Sequence, residues 1–219
     1  ALSPMAIFAQ DLEAVGTARV VDGDTIEVRD TIFRINGIDA PEYGQKCGPP
    51  GSLWQCGRDA LALMAELVEG HEVRCEGIEP DGYGRIVGTC YVGDLDIGSE
   101  IVRQGLAWAF VRYSTVYVEV ENEARQLGRN IWSGPAQPAW EYRAARWEVE
   151  QQQAPDGCPI KGNISENGMI YHPPWSPWYR EQRSIPLAGS AGFVLRRKPL
   201  LPVGEHQDGG NHPPSQQLH

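Results

Sequence analysis

The sequence predicts an α+β protein, a β-barrel plus helices, on three observations. Short β-branched segments alternate with glycine-rich turns, one amphipathic helix interrupts them, and further helical patterns follow. The 219 residues are 41% hydrophobic and 22% charged, which is enough apolar sequence for a folded core. Short strands around one internal helix favour a small closed barrel of the OB type.

Two hairpins are predicted. Residues 17–28 (TARVVDGDTIEV) are rich in β-branched residues around a DGD interruption, and residues 31–38 (TIFRINGI) follow through Arg29 and Asp30 as the other arm. Further along, residues 71–77 and 86–92 alternate in polarity on either side of PDGYG, a strong turn signal.

Four helices are predicted. Residues 52–68 carry apolar side chains at helical spacing, and Gly70 suits the end of that helix. A short helix follows Ser99, which is predicted to cap it. Residues 117–128 and 139–153 show two further helical patterns.

Composition divides the chain into four segments. Residues 1–16 are expected to be a signal-peptide remnant or an N-terminal arm, and residues 17–153 the barrel domain with a trailing helix. Residues 154–183 predict a small irregular C-terminal extension rich in Cys, Trp and Pro, and residues 184–219 a disordered tail. No stretch approaches the ~18 apolar residues of a membrane span, so no membrane partner is expected.

The pairing of the five cysteines would indicate in which cellular compartment the protein folds. Cys75 and Cys90 flank the EPDGYGR turn symmetrically, so an antiparallel hairpin would place them opposite each other. Cys47 and Cys56 lie in one Gly/Pro-rich loop and form a second candidate pair. Two disulfides would indicate a secreted or periplasmic protein, whereas four buried thiols would suit the cytosol. A monomer is expected, although Cys158 is left over and could form a disulfide dimer.

Three polar clusters lie at strand ends and turns. The first contains Asp24, the second contains Arg34, Asp39 and Glu42, and the third contains Arg85. Carboxylate oxygens suit Ca²⁺, with Mg²⁺ or Mn²⁺ as alternatives. Arginine grips phosphate with a two-pronged fork, and a remaining carboxylate can activate water. The set fits phosphodiester hydrolysis, although each cluster alone also fits an ordinary turn or salt bridge.

Five motifs in order, VVDGDT, FRINGIDAPE, DGYGR, VRQGLA and RNIWS, resemble the staphylococcal-nuclease-like (thermonuclease) family over residues 17–134. The resemblance implies a five-stranded OB-fold barrel with three helices. It also implies a Ca²⁺-dependent nuclease that acts on DNA and RNA and leaves 3′-phosphate ends.

The resemblance also implies roles for single residues. The implied metal ligands are Asp24, Asp39 and the backbone carbonyl of Ala40, and Glu42 is implied to position or activate water. The implied phosphate and substrate contacts are Arg34, Arg85, Tyr83 and Tyr113.

Other function classes stay open at this point. A catalytically inactive OB-fold module that binds nucleic acid would share the fold, and so would a structural protein that binds Ca²⁺ for stability only. The net charge of −10 argues against a generally basic nucleic-acid coat protein. The expected substrate is DNA, RNA or both.

Overall fold

The computed structural model describes residues 12–153, 160–165, 168–176 and 178–179. Its strands are β1 Glu13–Asp22, β2 Thr25–Val28, β3 Thr31–Ile35, β4 Ile38–Asp39, β5 Glu72–Pro80, β6 Ile86–Val92, β7 Leu95–Asp96, β8 Trp108–Ala109, β9 Lys161–Ser165 and β10 Gly168–His172. Its helices are α1 Cys56–Val68, α2 Ile97–Arg103, α3 Val118–Gln126 and α4 Ala139–Gln153, with a 3-10 turn at Asn130–Trp132. No described helix is long and apolar enough to cross a membrane.

Five strands close into a mixed barrel. The order β3-β2-β1-β5-β6 is antiparallel throughout, and a parallel pairing of β3 with β6 closes the ring. Strand β7 adds to the free side of β6. The predicted five-stranded barrel with helices is confirmed. The described chain contains four α-helices, one more than the resemblance implied.

The barrel core contains apolar side chains from the strands and from helix α1. In β2 and β3 the side chains of Ile26, Val28, Phe33 and Ile35 are almost fully buried. Helix α1 packs against this core with a stripe of residues spaced four apart, which places them on one helix face. This stripe consists of Ala60, Met64 and Val68.

The β2–β3 hairpin sets the register of the site. Arg29 and Asp30 both have positive φ angles, 47° and 64°, as a two-residue type I′ turn requires. The predicted hairpin is therefore confirmed. Its register pairs Thr25 with Arg34, which brings the Arg34 backbone beside the loop that carries Asp24.

Three element boundaries differ from the predictions. Strand β1 begins at Glu13 rather than at residue 17, because residues 13–17 pair with β5. Helix α1 begins at Cys56 rather than at residue 52, because Trp54 is held in a bridge to Cys47. Asp96, and not Ser99, caps α2, because its carboxylate accepts the Ser99 N–H at 3.0 Å.

The extension is not wholly irregular. Strands β9 and β10 form an antiparallel hairpin with five residue pairs. The sequence shows no sign of this strand pair, because a local ladder satisfies backbone hydrogen bonds without a clear periodic pattern along the chain. Residues 1–11, Cys158 and the predicted tail at 184–219 lie outside the described residues.

Both predicted disulfides are present. Cys75 and Cys90 are register partners across β5 and β6, with Cα atoms 4.0 Å apart. Cys47 and Cys56 are joined with a Cα separation of 5.7 Å. All four side chains are buried. The first bridge ties the barrel wall together, and the second ties the loop after β4 to the start of α1.

Unfolding the protein without reductant should expose no more than one thiol per chain, because four of the five cysteines are paired. Thiol titration in denaturant checks this number, and four or five thiols would contradict both bridges.

Replacing Cys75 and Cys90 together by Ser should lower the free energy of unfolding by about 2–4 kcal/mol, since a crosslink restricts the unfolded chain. Urea unfolding of the oxidised proteins measures that difference.

Candidate active site

Four carboxylates gather beside the barrel at the ends of short strands. Asp22 and Asp24 flank the turn between β1 and β2, Asp39 ends β4, and Glu42 follows in the next loop. Asp24, Asp39 and Glu42 are at most 7% exposed. Burying this many acidic groups requires nearby cations or hydrogen-bond donors.

Arg34 supplies the first cation. Its Nη1 lies 2.9 Å from Oδ2 of Asp24, and its Nη2 lies 3.0 Å from Oδ1 of Asp39. The backbone N–H of Ala40 donates to Oδ2 of Asp24 at 3.1 Å, and the Thr25 hydroxyl donates to Oδ1 of Asp24 at 2.9 Å. The structure therefore brings together Arg34 and all three predicted metal ligands.

Arg143 of α4 supplies the second cation. Its Nη2 donates to Oδ2 of Asp39 at 2.9 Å, and its Nη1 donates to Oδ1 of Asp39 at 3.2 Å. The same Nη1 donates to Oε1 of Glu42 at 2.8 Å. Arg143 is 6% exposed and forms a two-pronged pair with Asp39 that also bridges to Glu42.

The position of Glu42 is fixed by close packing of its loop. A Cβ atom on Gly57 would lie 1.7 Å from the carbonyl oxygen of Glu42, so only glycine lets α1 approach this backbone. The Glu42 N–H donates to the side chain of Gln45 at 3.2 Å. The Gln45 amide in turn donates to the carbonyl of Gln137, just before α4, at 2.6 Å.

The acidic cluster has more negative than positive charge. With all four carboxylates ionised, Arg34 and Arg143 would leave a formal charge of −2, and the raised pKa values show that bound protons offset part of this charge near neutral pH. Burial, reinforced by the charge of Asp24, raises the pKa of Asp22 to about 7. Burial raises the pKa of Glu42 to about 8 against the opposing charge of Arg143. For Asp39 too, burial raises the pKa while Arg143 and Arg34 oppose the shift.

The donor set fits a divalent cation. Hard carboxylate oxygens and a backbone carbonyl suit Ca²⁺ better than a soft metal, and a bound cation would compensate the charge of the carboxylates when they ionise. Asp24, Asp39 and Ala40 are the residues that would hold it. Within the described residues, however, no three acidic, His or Cys side chains already converge as a ligand group. Guanidinium nitrogens instead contact the Asp24 and Asp39 oxygens.

Arg85 lies in a turn organised by Asp81. Oδ1 of Asp81 accepts the N–H groups of Tyr83 and Arg85, and Oδ2 accepts Nε of Arg85 at 2.6 Å. Gly84 has a φ angle of +84°, which this tight turn requires. Arg85 is 1% exposed, and within the described part of the chain its Nη1 and Nη2 have no hydrogen-bond partner.

The β3–β6 register, continued to the residue just before the start of β6, indicates that Arg34 and Arg85 lie on the same face of the barrel wall. Arg34 is the register partner of Val87 in the parallel β3–β6 pair. Arg85 precedes Val87 by two residues, and alternate residues of extended backbone point to the same face. The guanidinium of Arg85 lies 5.6 Å from the centre of the Tyr83 ring.

A cleft of about 260 Å³ opens beside Arg34. Its lining includes Arg34, Gly37, Asp81, Phe110 and Tyr113. Tyr113 is 44% exposed, and its ring lies 5.0 Å from the Phe110 ring. Of the predicted phosphate and substrate contacts, Arg34 and Tyr113 line this cleft, whereas Arg85 and Tyr83 are not part of its lining.

Sequence comparisons decide the family. A family model for staphylococcal nuclease homologues matches residues 32–134. An uncharacterised endonuclease of Escherichia coli is 38% identical over 133 residues, which cover 57% of this chain and 81% of that protein. The chain belongs to the staphylococcal nuclease family.

Two further relatives of this staphylococcal nuclease homologue have different names. The micrococcal nuclease of Shigella flexneri is 36% identical over 145 residues, covering 58% of this chain and 78% of that protein. The succinoglycan biosynthesis protein ExoI of Rhizobium meliloti (strain 1021) is 35% identical over 139 residues, which cover 60% of this chain and 71% of that protein. The names of relatives therefore do not all describe a nuclease.

Sequence reasoning missed Arg143 in this nuclease homologue. It predicted the helix at residues 139–153 correctly but assigned that helix no part in the site. The available signal was Arg143 lying four residues after Ala139, which puts a charged residue on the helix face that is buried. Gln45 was missed as well, since a lone glutamine in a loop carries no recognisable pattern.

Replacing Asp81 by Asn should destabilise the protein by about 1–3 kcal/mol at neutral pH, because it removes a charged acceptor from the buried Arg85. Burial alone would raise the pKa of Asp81, but the Arg85 backbone N–H and the Arg85 charge lower it below its usual range. The stabilisation is therefore present above pH 3.8 and is lost as the pH falls through the lower folded pKa.

Urea unfolding at several pH values checks this prediction. The difference between wild type and D81N should shrink on the acid side. The exposed Asp94, replaced by Asn, is the matched control and should change stability little. A D81N difference that grows as the pH falls would contradict the assignment.

Proposed function

We propose that this chain is a metal-dependent nuclease that hydrolyses phosphodiester bonds of DNA, RNA or both. One observation carries the proposal. Arg34 lies inside a buried carboxylate cluster, and Arg85 has buried terminal nitrogens without a partner among the described residues. The nuclease-named relatives from Escherichia coli and Shigella flexneri support the same class of reaction.

Arg85 is suited to a phosphate. Leaving two buried guanidinium nitrogens without acceptors costs free energy, and the oxygens of a phosphodiester would supply acceptors in the geometry of the guanidinium fork. Asp81 holds Nε and so fixes the direction of the fork. The unpaired nitrogens would then be ready before the substrate arrives.

Arg34 provides the second positive charge on the reacting phosphate. It connects Asp24 and Asp39 through separate nitrogens, so its position is defined by two anions. Charge develops on the phosphoryl oxygens as water adds, and a preorganised guanidinium stabilises that charge more in this state than in the substrate.

Glu42 is proposed to orient water and accept its proton. Burial raises its pKa to about 8, so the carboxylate form that can accept a proton becomes more populated as the pH rises through that value. Ca²⁺, with Mg²⁺ or Mn²⁺ as alternatives, would supply charge neutralisation and polarise a phosphoryl oxygen when bound beside Asp24, Asp39 and Ala40. Cleavage is proposed to leave 3′-phosphate ends, as in the thermonuclease type of reaction.

Two tyrosines are proposed as substrate contacts. Tyr83 lies beside the Arg85 guanidinium, close to where the phosphate would bind. Tyr113 borders the cleft with much of its ring exposed, which suits stacking on a nucleobase. The neighbouring Val111 is 60% exposed and offers no ring, so base stacking would rest on Tyr113.

The compartment is proposed to be oxidising, either outside the cell or in the periplasm. Two buried disulfides in one small barrel support this assignment, because thiols are kept reduced in the cytosol. The protein is proposed to act as a monomer.

A catalytically inactive nucleic-acid-binding module is the second candidate. The observation that favours it is the pairing of both Asp39 oxygens with guanidinium groups, which leaves metal ligation dependent on rearrangement. Such a module would bind nucleic acid without cutting it.

Supercoiled plasmid should be nicked in the presence of Ca²⁺ and left intact in EDTA. The reason is the uncompensated negative charge at the acidic cluster, which a divalent cation would neutralise. Gel electrophoresis with Ca²⁺, Mg²⁺, Mn²⁺ and chelator measures the dependence. Cutting that ignores chelation would contradict the metal role, whereas binding without cutting in every metal would favour the inactive module.

Replacing Arg34 or Arg85 by Ala should lower the cleavage rate by about 10²–10³-fold, since each removes a charge that stabilises the transition state. Initial nicking rates measure the loss. Arg19 on β1 is the matched control, because its side chain is 70% exposed and pairs with Glu27. R19A should cut like wild type. Equal rates for R34A, R85A and R19A would rule out the phosphate clamp.

A further inference from the structure

Arg143 connects the helix beyond the family-matched region to the acidic cluster. The matched region ends at residue 134, whereas Arg143 lies in α4. Its partners Asp39 and Glu42 are about a hundred residues earlier in the chain. The carboxylate arrangement therefore depends on a segment that the family model does not include.

The base of α4 is anchored against the barrel side. Trp140 stacks on Phe110 with ring centres 5.4 Å apart and an angle of 16°, and its ring lies 6.1 Å from that of Trp108. Ala139 is fully buried, and the Gln45–Gln137 hydrogen bond ties the preceding segment to the Glu42 loop. Arg143 follows one turn later, so its guanidinium is directed by a packed helix rather than a mobile loop.

The contacts of Arg143 orient two carboxylates at once. The fork uses both Nη atoms on Asp39, and Nη1 also holds Oε1 of Glu42. One planar group thus sets the separation and the tilt of the proposed base relative to the proposed metal ligand. A lysine ammonium carries the same charge but has no planar fork with which to hold both.

The positive charge of Arg143 has a second effect. Without it, four carboxylates would face Arg34 alone, and repulsion would spread Asp39 and Glu42 apart. An arginine side chain stays cationic across the pH range in which proteins are folded, so Arg143 supplies this charge throughout.

We propose that Arg143 is a positioning residue of the nuclease site, which orients Glu42 relative to Asp39 from outside the matched domain. This inference rests on the proposed function, because it names the group that supports the proposed base. Arg143 itself does not contact the substrate. Helix α4 is accordingly part of the catalytic unit.

The test uses R143A and R143K in the full chain, with R146A as the matched control. Arg146 lies on the same helix, where it donates to the carbonyl of Pro174 at 3.0 Å and faces Glu150 at 3.8 Å. We expect R143A to lower kcat by about 10–100-fold with little change in KM, because the lost group orients a catalytic residue rather than the substrate. R143K should fall between R143A and wild type, and R146A should match wild type.

Chemical rescue separates positioning from a purely structural role. Millimolar guanidinium chloride should restore part of the R143A rate in a saturable way by occupying the vacated space. The same concentration of sodium chloride should not, and R146A and wild type should respond to neither. Thermal unfolding of each variant reports whether the fold persists. If R143A fails to fold, R143K carries the test through its kcat.

The outcomes are distinct. Wild-type kcat in both R143A and R143K would overturn the inference, and so would a faster R143A, which would make Arg143 an inhibitory contact. A loss in R143A that accompanies a lower Tm and resists guanidinium would assign it a structural role only and would also overturn it. If the wild-type protein itself cuts nothing in any metal, the proposed function fails first, before this comparison.

Discussion

Compensation of buried negative charge is the constraint on which the site depends. Three nearly buried carboxylates and the neighbouring Asp22 share two guanidinium groups, and the balance is negative. Carboxylates in this environment either gain protons or bind cations. Burial and the neighbouring negative charges accordingly raise the pKa values of Asp22 and Glu42. A divalent ion offers a way to compensate this charge without protonating the base.

The barrel makes this concentration of charge possible. The type I′ turn at Arg29 and Asp30 sets the β2–β3 register, which places Arg34 beside the Asp24 loop. Closure by the parallel β3–β6 pair then fixes the start of β6, which follows Arg85, relative to β3. Both features are backbone properties, and the first of them brings Arg34 to carboxylates from two separate segments.

Helix α4 gives the site a dependence that a barrel alone would not have. Its aromatic anchor on Phe110 and Trp108 is apolar, whereas its contribution to the site is ionic. Loss of these aromatic contacts would therefore displace Arg143 and, with it, the carboxylate of Glu42. The disulfide between Cys47 and Cys56 and the glycine at position 57 restrain the same loop from the other side.

The sequence by itself determined the barrel class, both hairpins and the helix at residues 139–153, because each has a local signature in periodicity or turn chemistry. It indicated the Cys75–Cys90 pair through symmetry about a turn and left Cys47–Cys56 as a candidate within one loop. It also indicated which acidic and basic residues to consider. Only the tertiary structure decided that Arg143 joins Asp39 and Glu42, that Asp81 orients Arg85, and that β9 and β10 pair. Those contacts join residues through space or through a local ladder, and no spacing along the chain encodes the direction of a guanidinium group.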